Sequence, residues 1–320
     1  MFAKEVTGTA GMAATSASTY GRRQIPETAI NADAPDLAAL LGAWWSSADS
    51  HAKIAASFAA SGDVPFAVID EFFAPAVAQE LRGAFPEPHA VDTWHVYDNP
   101  LERKRACSDT ARMPTCLRDA LFALCGPSLV EAVRRITGED EGASLQSDPY
   151  CHGGGLHSHG TGEKLDLHLD YSRHPLSGLE RRFNLIVYLT ADAWDADAHG
   201  GELELWAPTR GGDGGADADA DVHPDHRLAA IAPVFNRGLL FSTTAPSFHG
   251  FPSALTCPPE MRRNSLALYY LTPPRPHAPE RSKARYVATP GDPPSAELER
   301  LRAVRAVRRL EPEDLVGCQS

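Results

Sequence analysis

Two histidines and one carboxylate that can converge on a point make a site for a divalent metal with coordination positions left open, and His168, Asp170 and His249 can form such a set. His168 and Asp170 stand two apart in Leu167-His168-Leu169-Asp170-Tyr171. If this run is a strand, alternation sends His168 and Asp170 to one face and Leu167, Leu169 and Tyr171 to the other. The third ligand must come from a distant strand, and TTAPSFHGFP supplies His249 just after the strand-like RGLLFST. Iron(II) held this way keeps room for a co-substrate and O2. A blander reading stands beside it. With 13 histidines, about one H-x-D triplet is expected by chance, and His168 could be a buried histidine hydrogen-bonded to Asp170. A second triplet, His223-Pro224-Asp225, trails a Gly/Asp-rich insert. Proline disfavours a central strand, so this one reads as a loop.

Fourteen residues after His249, Arg263 opens the run RNSLALYYLT, and Ser265 falls on its face by alternation. A buried arginine is costly unless it meets an anion, and its planar fork suits a carboxylate. A dicarboxylate co-substrate meets that demand, because its other end, a 2-oxo acid, can chelate the metal through the open positions. Tyr188 in FNLIVYLT offers a hydroxyl to the distal carboxylate, and Asn184 lies on its side of the strand. Arg263 could also be a surface arginine or the partner of an internal acid, and Arg262 is the neighbouring candidate for the carboxylate site.

These residues need strands to aim them. From about residue 145, short apolar runs (LDLHLDY, FNLIVYLT, GELELW, LAAIAPVF, RGLLFST, SLALYYLT) alternate with Gly, Pro, Asp and Asn clusters, which predicts an antiparallel sandwich or barrel. The insert at 211–221, GGDGGADADAD, is too Gly/Asp-rich to pack and reads as a disordered surface insertion. Upstream, Leu37, Leu40, Leu41, Trp44, Trp45 and Ile54 recur at helical spacings behind the N-cap candidate Asp36, predicting one helix with an aromatic face. PFAVIDEFF at 65–73 reads as a strand and AVAQELRGAF as a helix carrying Val77, Leu81 and Phe85. A helical region over 115–137 breaks at Gly126-Pro127. Residues 1–35 read as a flexible tail and 36–144 as a helical support region, with the catalytic core at 145–275. The segment 276–320 is proline-rich, then an amphipathic basic helix with Leu298, Leu301, Val304, Val307 and Leu310 on one side, for docking on the core or on the twin subunit of a homodimer.

Hydrophobic residues at 43% allow a sizeable core, and the net charge of −12 opposes a general nucleic-acid or anionic-membrane binder. No apolar stretch approaches the roughly 20 residues that span a bilayer. Six scattered cysteines without a C-x-x-C pair fit a reducing compartment, so the expected location is cytoplasmic. The Ala/Ser/Thr-rich start with Arg22 and Arg23 leaves an organelle transit peptide open, although Lys4, Glu5 and Glu27 weaken it.

Residues ~65–272 resemble the prolyl-4-hydroxylase-type branch of the 2-oxoglutarate/Fe(II) oxygenases, through LDLHLDYSRHP, RRFNLIVYLT, GGELELW, PVFNRGLLFSTT, SFHGFP and the RxS-type strand RNSLALYYLT in that order. The resemblance implies a mainly β fold, a double-stranded β-helix or jelly-roll, flanked by N-terminal helices and a C-terminal helix. It implies iron on His168, Asp170 and His249, and 2-oxoglutarate on Arg263, Ser265 and Tyr188. The family's chemistry couples decarboxylation of 2-oxoglutarate to succinate and CO2 with hydroxylation of a C–H bond, using O2, with ascorbate as a reductant that can serve. Related halogenases carry a small residue in place of the carboxylate, and Asp170 argues against that outcome. Expected substrates are a prolyl or other residue in a protein, or alternatively a free amino acid or natural product. A non-redox metal-binding jelly-roll, an isomerase or a sensor, is the competing class. His157, His159, Arg173, His174, Arg181 and Arg182 flank the triad and would attract an anionic substrate if they line the approach, whereas solvated loops would give the same composition.

Overall fold

The computed structural model describes residues 36–209, 222–244, 246–276 and 278–316. The expected N-terminal tail and the 211–221 insert lie outside them. Four strands precede the core: β1 (Phe66–Ile69), β2 (His95–Asn99), β3 (Glu102–Cys107) and β4 (Gln146–Ser147). Eight more build it: β5 (Gly155–His159), β6 (Lys164–Leu169), β7 (Glu180–Tyr188), β8 (Leu203–Pro208), β9 (Pro224–Ile231), β10 (Gly238–Ser242), β11 (Phe248–Phe251) and β12 (Arg263–Thr272). The short β13 (Arg285–Tyr286) pairs with β6.

All pairings are antiparallel, and the strand path is β1-β10-β7-β12-β5-β3-β6-β11-β8-β9. It holds two four-strand groups, β10-β7-β12-β5 and β6-β11-β8-β9, whose order interleaves early and late strands as a jelly-roll requires. β3 bridges the groups by pairing with both β5 and β6. β10 and β12 are buried almost throughout, because helices cover one side of the first group and the opposite group covers the other. Their continuous apolar runs follow from burial on both faces.

Among the described residues seven helices pack around the sheet: α1 (Leu37–Leu40), α2 (Ala48–Ala60), α3 (Pro75–Gly83), α4 (Thr115–Cys125), α5 (Pro127–Thr137), α6 (Ala196–His199) and α7 (Ala296–Val307). Phe58, Leu117, Leu121, Leu129 and Ile136 meet Phe183, Leu185 and Tyr270 in one core cluster on the outer face. The break at Gly126-Pro127 falls where the spacing places it. The single helix expected from Asp36 is instead α1, a 3-10 turn at Ala43–Ser46, and α2. Gly42 stops the first piece by donating its N–H to the Phe72 carbonyl, and Ser47 caps the last by accepting from Ser50 N. Docking the chain against the end of β1 outweighs continued helical bonding.

Three further expectations change. The region read as helical support contributes, besides the expected strand β1, the hairpin β2–β3, which carries too many charges (HVYDN, ERKRAC) for an apolar period to reveal it. His223-Pro224-Asp225 is not all loop, since Pro224 opens β9. β9 ends the strand path and pairs only with β8, so proline sits where no ladder hydrogen bond is demanded. On α7 the expected apolar side is incomplete. Leu301 packs on Leu101 and Tyr286, but Val307 is 76% exposed. Arg302 and Arg305 face the core instead, with Arg305 Nε 3.0 Å from Glu102 Oε1. The helix thus docks on its own core through ion pairs as much as through leucines.

The seam between the groups has little slack. Gly155 adopts φ +90°, and a Cβ there would lie 2.1 Å from the Cys107 carbonyl oxygen of β3. Gly155→Ala should therefore cost about 2 kcal/mol or more of unfolding free energy. Urea unfolding of the purified variant measures this, and an unchanged midpoint would mean that β3 moves freely against β5.

Candidate metal centre

β6 and β11 are neighbours, and their register pairs His168 directly with His249. Paired residues on one face stand close, and here the two imidazole centroids are 4.3 Å apart. Asp170 follows the end of β6 and turns in beside them: its Oδ1 lies 3.8 Å from His168 Nε2 and its Oδ2 3.8 Å from His249 Nε2. Ligand atoms of the three residues all fall within 4.8 Å of one another. Each histidine donates its Nδ1–H to a carbonyl two residues back, His168 to Asp166 at 2.9 Å and His249 to Ser247 at 2.8 Å. That assignment leaves both Nε2 lone pairs facing the shared point, the arrangement that orients metal-binding imidazoles.

Burying a carboxylate needs compensation. Burial alone would raise the Asp170 pKa, but Arg181 and the two imidazoles outweigh it and hold the carboxyl at about 2. Tyr269 donates its hydroxyl to Asp170 Oδ2 at 3.0 Å, and Arg181 Nη1 stands 3.6 Å from the same oxygen. The Arg181 guanidinium is clamped between the Tyr171 and Tyr269 rings at 3.4 Å from each centroid, and its Nη2 donates to Tyr171 and to the His152 carbonyl. Burial lowers the His168 pKa to about 3 and pushes His159 well down, so both are neutral at pH 7. A neutral imidazole is the form that binds a metal.

The same cavity is lined by Arg263, Ser265, Asn184 and His159. Arg263 is buried, donates Nε–H to the Gly201 carbonyl at 2.7 Å and reaches the Tyr188 hydroxyl with Nη2 at 3.3 Å. Among the described residues no carboxylate pairs with it, and burial lowers its pKa. A Cβ on Gly201 would lie 3.0 Å from Arg263 Cδ, so the GG of GGELELW makes space for this side chain. Cross-strand pairing sets Arg263 opposite His159 and Ser265 opposite Tyr188. Asn184 Oδ1 and both ring nitrogens of His159 are buried without a hydrogen-bond partner. A charged guanidinium without an acid, beside the unsatisfied ring nitrogens of His159, fits an anionic ligand that carries both charge and hydrogen-bonding groups. Tyr188 itself is wholly buried behind the guanidinium, among Leu203, Leu205, Leu239 and Phe241.

The expected residues therefore meet in one cavity except Tyr188, which stands behind its wall, and the flanking set needs corrections. Tyr171, assigned by alternation to the face opposite His168, also lines the cavity, because β6 ends at Leu169 and alternation ends with it. Arg181 faces the cavity while Arg182 pairs with Glu139 outside it. Parity counted from Tyr188 selects Arg182, but the β12–β7 register skips from Tyr270/Phe183 to Leu271/Arg181, and this bulge reverses the faces. Arg173 lies outside the cavity, 3.9 Å from Glu280, and His174 Nε2 lies 3.2 Å from Asp148 Oδ1, both side chains fully buried. His157 and His159 are strand residues of the cavity wall rather than solvated loop. Arg262 is spent on Glu163 and Ser158. Two residues went unread, Tyr269 and Tyr286. Counting on from Arg263 by twos would have found Tyr269, whereas nothing local marks Tyr286, whose ring stacks on His168 at 5.1 Å.

In metal-free protein the neutral histidines have a pH consequence. Their folded pKa lies below the unfolded value near 6.5, so their contribution is intact above about pH 6.5 and declines as pH falls toward the folded value. Chelator-treated protein should lose stability between pH 6.5 and 5, by up to about 1.4 kcal/mol per pH unit for each such histidine, and His159→Gln should flatten that slope. A slope identical in the variant would show that His159 is not held neutral.

Residues 154–288 match the family model described as the 2OG-Fe(II) oxygenase superfamily. No curated protein sequence matches this one. Similar solved structures include a Trichoplax adhaerens prolyl hydroxylase in complex with a hypoxia-inducible-factor oxygen-degradation-domain peptide fragment, at 15% identity over 69% of this chain and 89% of that one, TM-score 0.47. A Pseudomonas putida prolyl-4-hydroxylase aligns at 13% identity over 69% and 99%, TM-score 0.44. HygX from Streptomyces hygroscopicus, solved with nickel, 2-oxoglutarate and hygromycin B bound, aligns at 16% identity over 68% and 86%, TM-score 0.42.

Proposed function

We propose that this chain, an oxygenase of the 2OG-Fe(II) superfamily, hydroxylates an unactivated C–H bond and couples that step to decarboxylation of 2-oxoglutarate to succinate and CO2. The observation that carries the reading is the pairing, in one cavity, of the His168, Asp170 and His249 cluster with a buried Arg263 that has no acid of its own among the described residues. Iron(II), when bound by the three, would supply the activation of O2, with 2-oxoglutarate as the electron source and ascorbate as an auxiliary reductant.

The chain's own residues have separable tasks. The carbonyls of Asp166 and Ser247 fix the imidazole tautomers. Arg181 and Tyr269 keep Asp170 ionised, so the ligand set carries one negative charge. Arg263 takes the far carboxylate of 2-oxoglutarate, with hydroxyls from Ser265 and Tyr188 beside it, and Asn184 adds an amide on the same wall. A non-redox isomerase or sensor would need the metal set but has no use for the acid-free arginine.

The substrate in this reading is a prolyl or other residue in a protein, admitted at the mouth of the cavity. A free amino acid or natural product is the second reading. The protein works in the cytoplasm, in keeping with Cys107, Cys116, Cys125 and Cys257 being free thiols. No helix of the described residues is long and apolar enough to cross a membrane.

Asp170→Ala should abolish succinate formation, because the cluster loses its anionic member and a cavity takes its place. Anaerobic iron titration followed by a succinate assay checks this, and full turnover in the variant would defeat the assignment. Arg263→Ala should raise the KM for 2-oxoglutarate about a hundredfold or more, since a charge-assisted pair in a closed pocket contributes on the order of 3–5 kcal/mol. Arg263→Lys, which keeps charge but not the fork, should fall between. Iron affinity should change little in either. Equal loss of iron and 2-oxoglutarate binding would instead give Arg263 a supporting role in the fold.

A further inference from the structure

The wall of the cavity away from Arg263 comes from parts of the chain outside the matched segment: the β2–β3 hairpin and α7 with the residues that follow it. We propose that this wall recognises an anion, and that the substrate presents a carboxylate to Lys104, Arg305 and Arg309 while its reacting carbon faces the metal cluster. The inference rests on the function proposed above.

Lys104 and Arg305 are built into the cavity, and Arg309 stands at its exposed edge. Lys104 and Arg305 both pair with the buried Glu102, at 3.0 Å each, so one acid serves two cations. Lys104 also lies over the Tyr97 ring at 5.0 Å, and Arg309 lies over the same ring at 5.7 Å. Arg305 stands over Tyr286 at 5.4 Å, and the other neighbour of Tyr286 is His168, a member of the metal cluster. Aromatic faces hold these cations in position without neutralising them. Arg309 has no acidic partner among the described residues; its nearest polar contact is His95 Nε2 at 3.4 Å.

Charge balance decides what the wall is for. In the loaded site, iron(II), dianionic 2-oxoglutarate, Asp170, Arg181 and Arg263 leave one net positive charge. Glu102 with Lys104 and Arg305 adds a second, Arg309 a third, and Lys283 of the same lining is a further cation. The chain as a whole carries −12. A positive excess confined to one cavity of an acidic protein is local, and a desolvated cavity focuses it on an incoming anion. A neutral substrate would leave that excess facing it, whereas an acidic one would offset it.

The carboxylate can come from an acidic side chain next to the target residue in a protein or from a free acid, and one experiment separates them. Two dye-labelled decapeptides, each with a single proline flanked by Glu or by Gln, are titrated against metal-free protein and against protein loaded with Mn(II) and 2-oxoglutarate, reading fluorescence anisotropy. N-acetylproline and N-acetylprolinamide serve as small competitors with the same charge difference. We expect the Glu peptide to bind at least about tenfold tighter than the Gln peptide at low salt, with most of the gap lost in 0.5 M salt. Arg309→Glu, at an exposed position, and Arg305→Gln, which keeps length and hydrogen bonding, should each close the gap. Discrimination between the small competitors alone would support the anion wall with a free acid as its source. Equal affinity within both pairs, or a gap unmoved by Arg309→Glu, overturns the proposal. Acidic-peptide binding to protein that takes up neither Mn(II) nor 2-oxoglutarate would uphold the wall and sink the oxygenase reading instead.

Discussion

The constraint on which the rest of this structure depends is the burial of the Asp170 carboxylate against two imidazoles. An ionised carboxylate out of water is tolerable only if charge and hydrogen bonds replace its hydration. Arg181 supplies the charge, Tyr269 the hydrogen bond, and the two histidines, each tied through Nδ1 to a carbonyl, turn their Nε2 atoms to the same point. Arg181 is itself buried and is steadied by two aromatic faces and the His152 carbonyl. Removing any of these would leave a buried charge uncompensated. The cluster therefore requires the paired strands β6 and β11 and the paired strands β7 and β12 to line one cavity, which the curled strand path provides.

Arg263 is the complementary case. Its donors reach a carbonyl and a phenol, but nothing anionic. Opposite it, both ring nitrogens of His159 are buried without a hydrogen-bond partner. Stability would favour an acid or an apolar replacement at this place. A bare cation there is a cost in the free protein that a carboxylate ligand would offset and a neutral one would not.

The two ends of the chain complete the site without belonging to the matched segment. β3 bridges the two strand groups, and its Glu102 gathers Lys104, Arg305 and the Tyr286 hydroxyl at the cavity mouth. α7 is thereby tied to the core by ion pairs in a partly dry setting, which fixes its orientation more narrowly than leucine packing would.

Much of the site was legible in the sequence because strand alternation is local. His168 with Asp170, Arg263 with Ser265 and Tyr188 with Asn184 each lie two or four apart, and a run of β-branched and aromatic residues suffices to put each pair on one face. The blocks that carry the family resemblance report the same strands. The break at Gly126-Pro127 was equally local. What tertiary structure alone decided depends on register and on packing between distant segments. The bulge between β12 and β7 sends Arg181 inward where parity selects Arg182. β6 stops at Leu169, so Tyr171 turns into the cavity. The charged hairpin β2–β3 has no apolar period to announce it, and Glu102 meets Arg305 across some two hundred residues. A bulge costs little and leaves no compositional mark, and an ion pair between remote segments is specified by the shape of the whole fold. Alternation could therefore name the candidate ligands, while only the folded chain could show that they converge, what compensates them and what else lines the cavity.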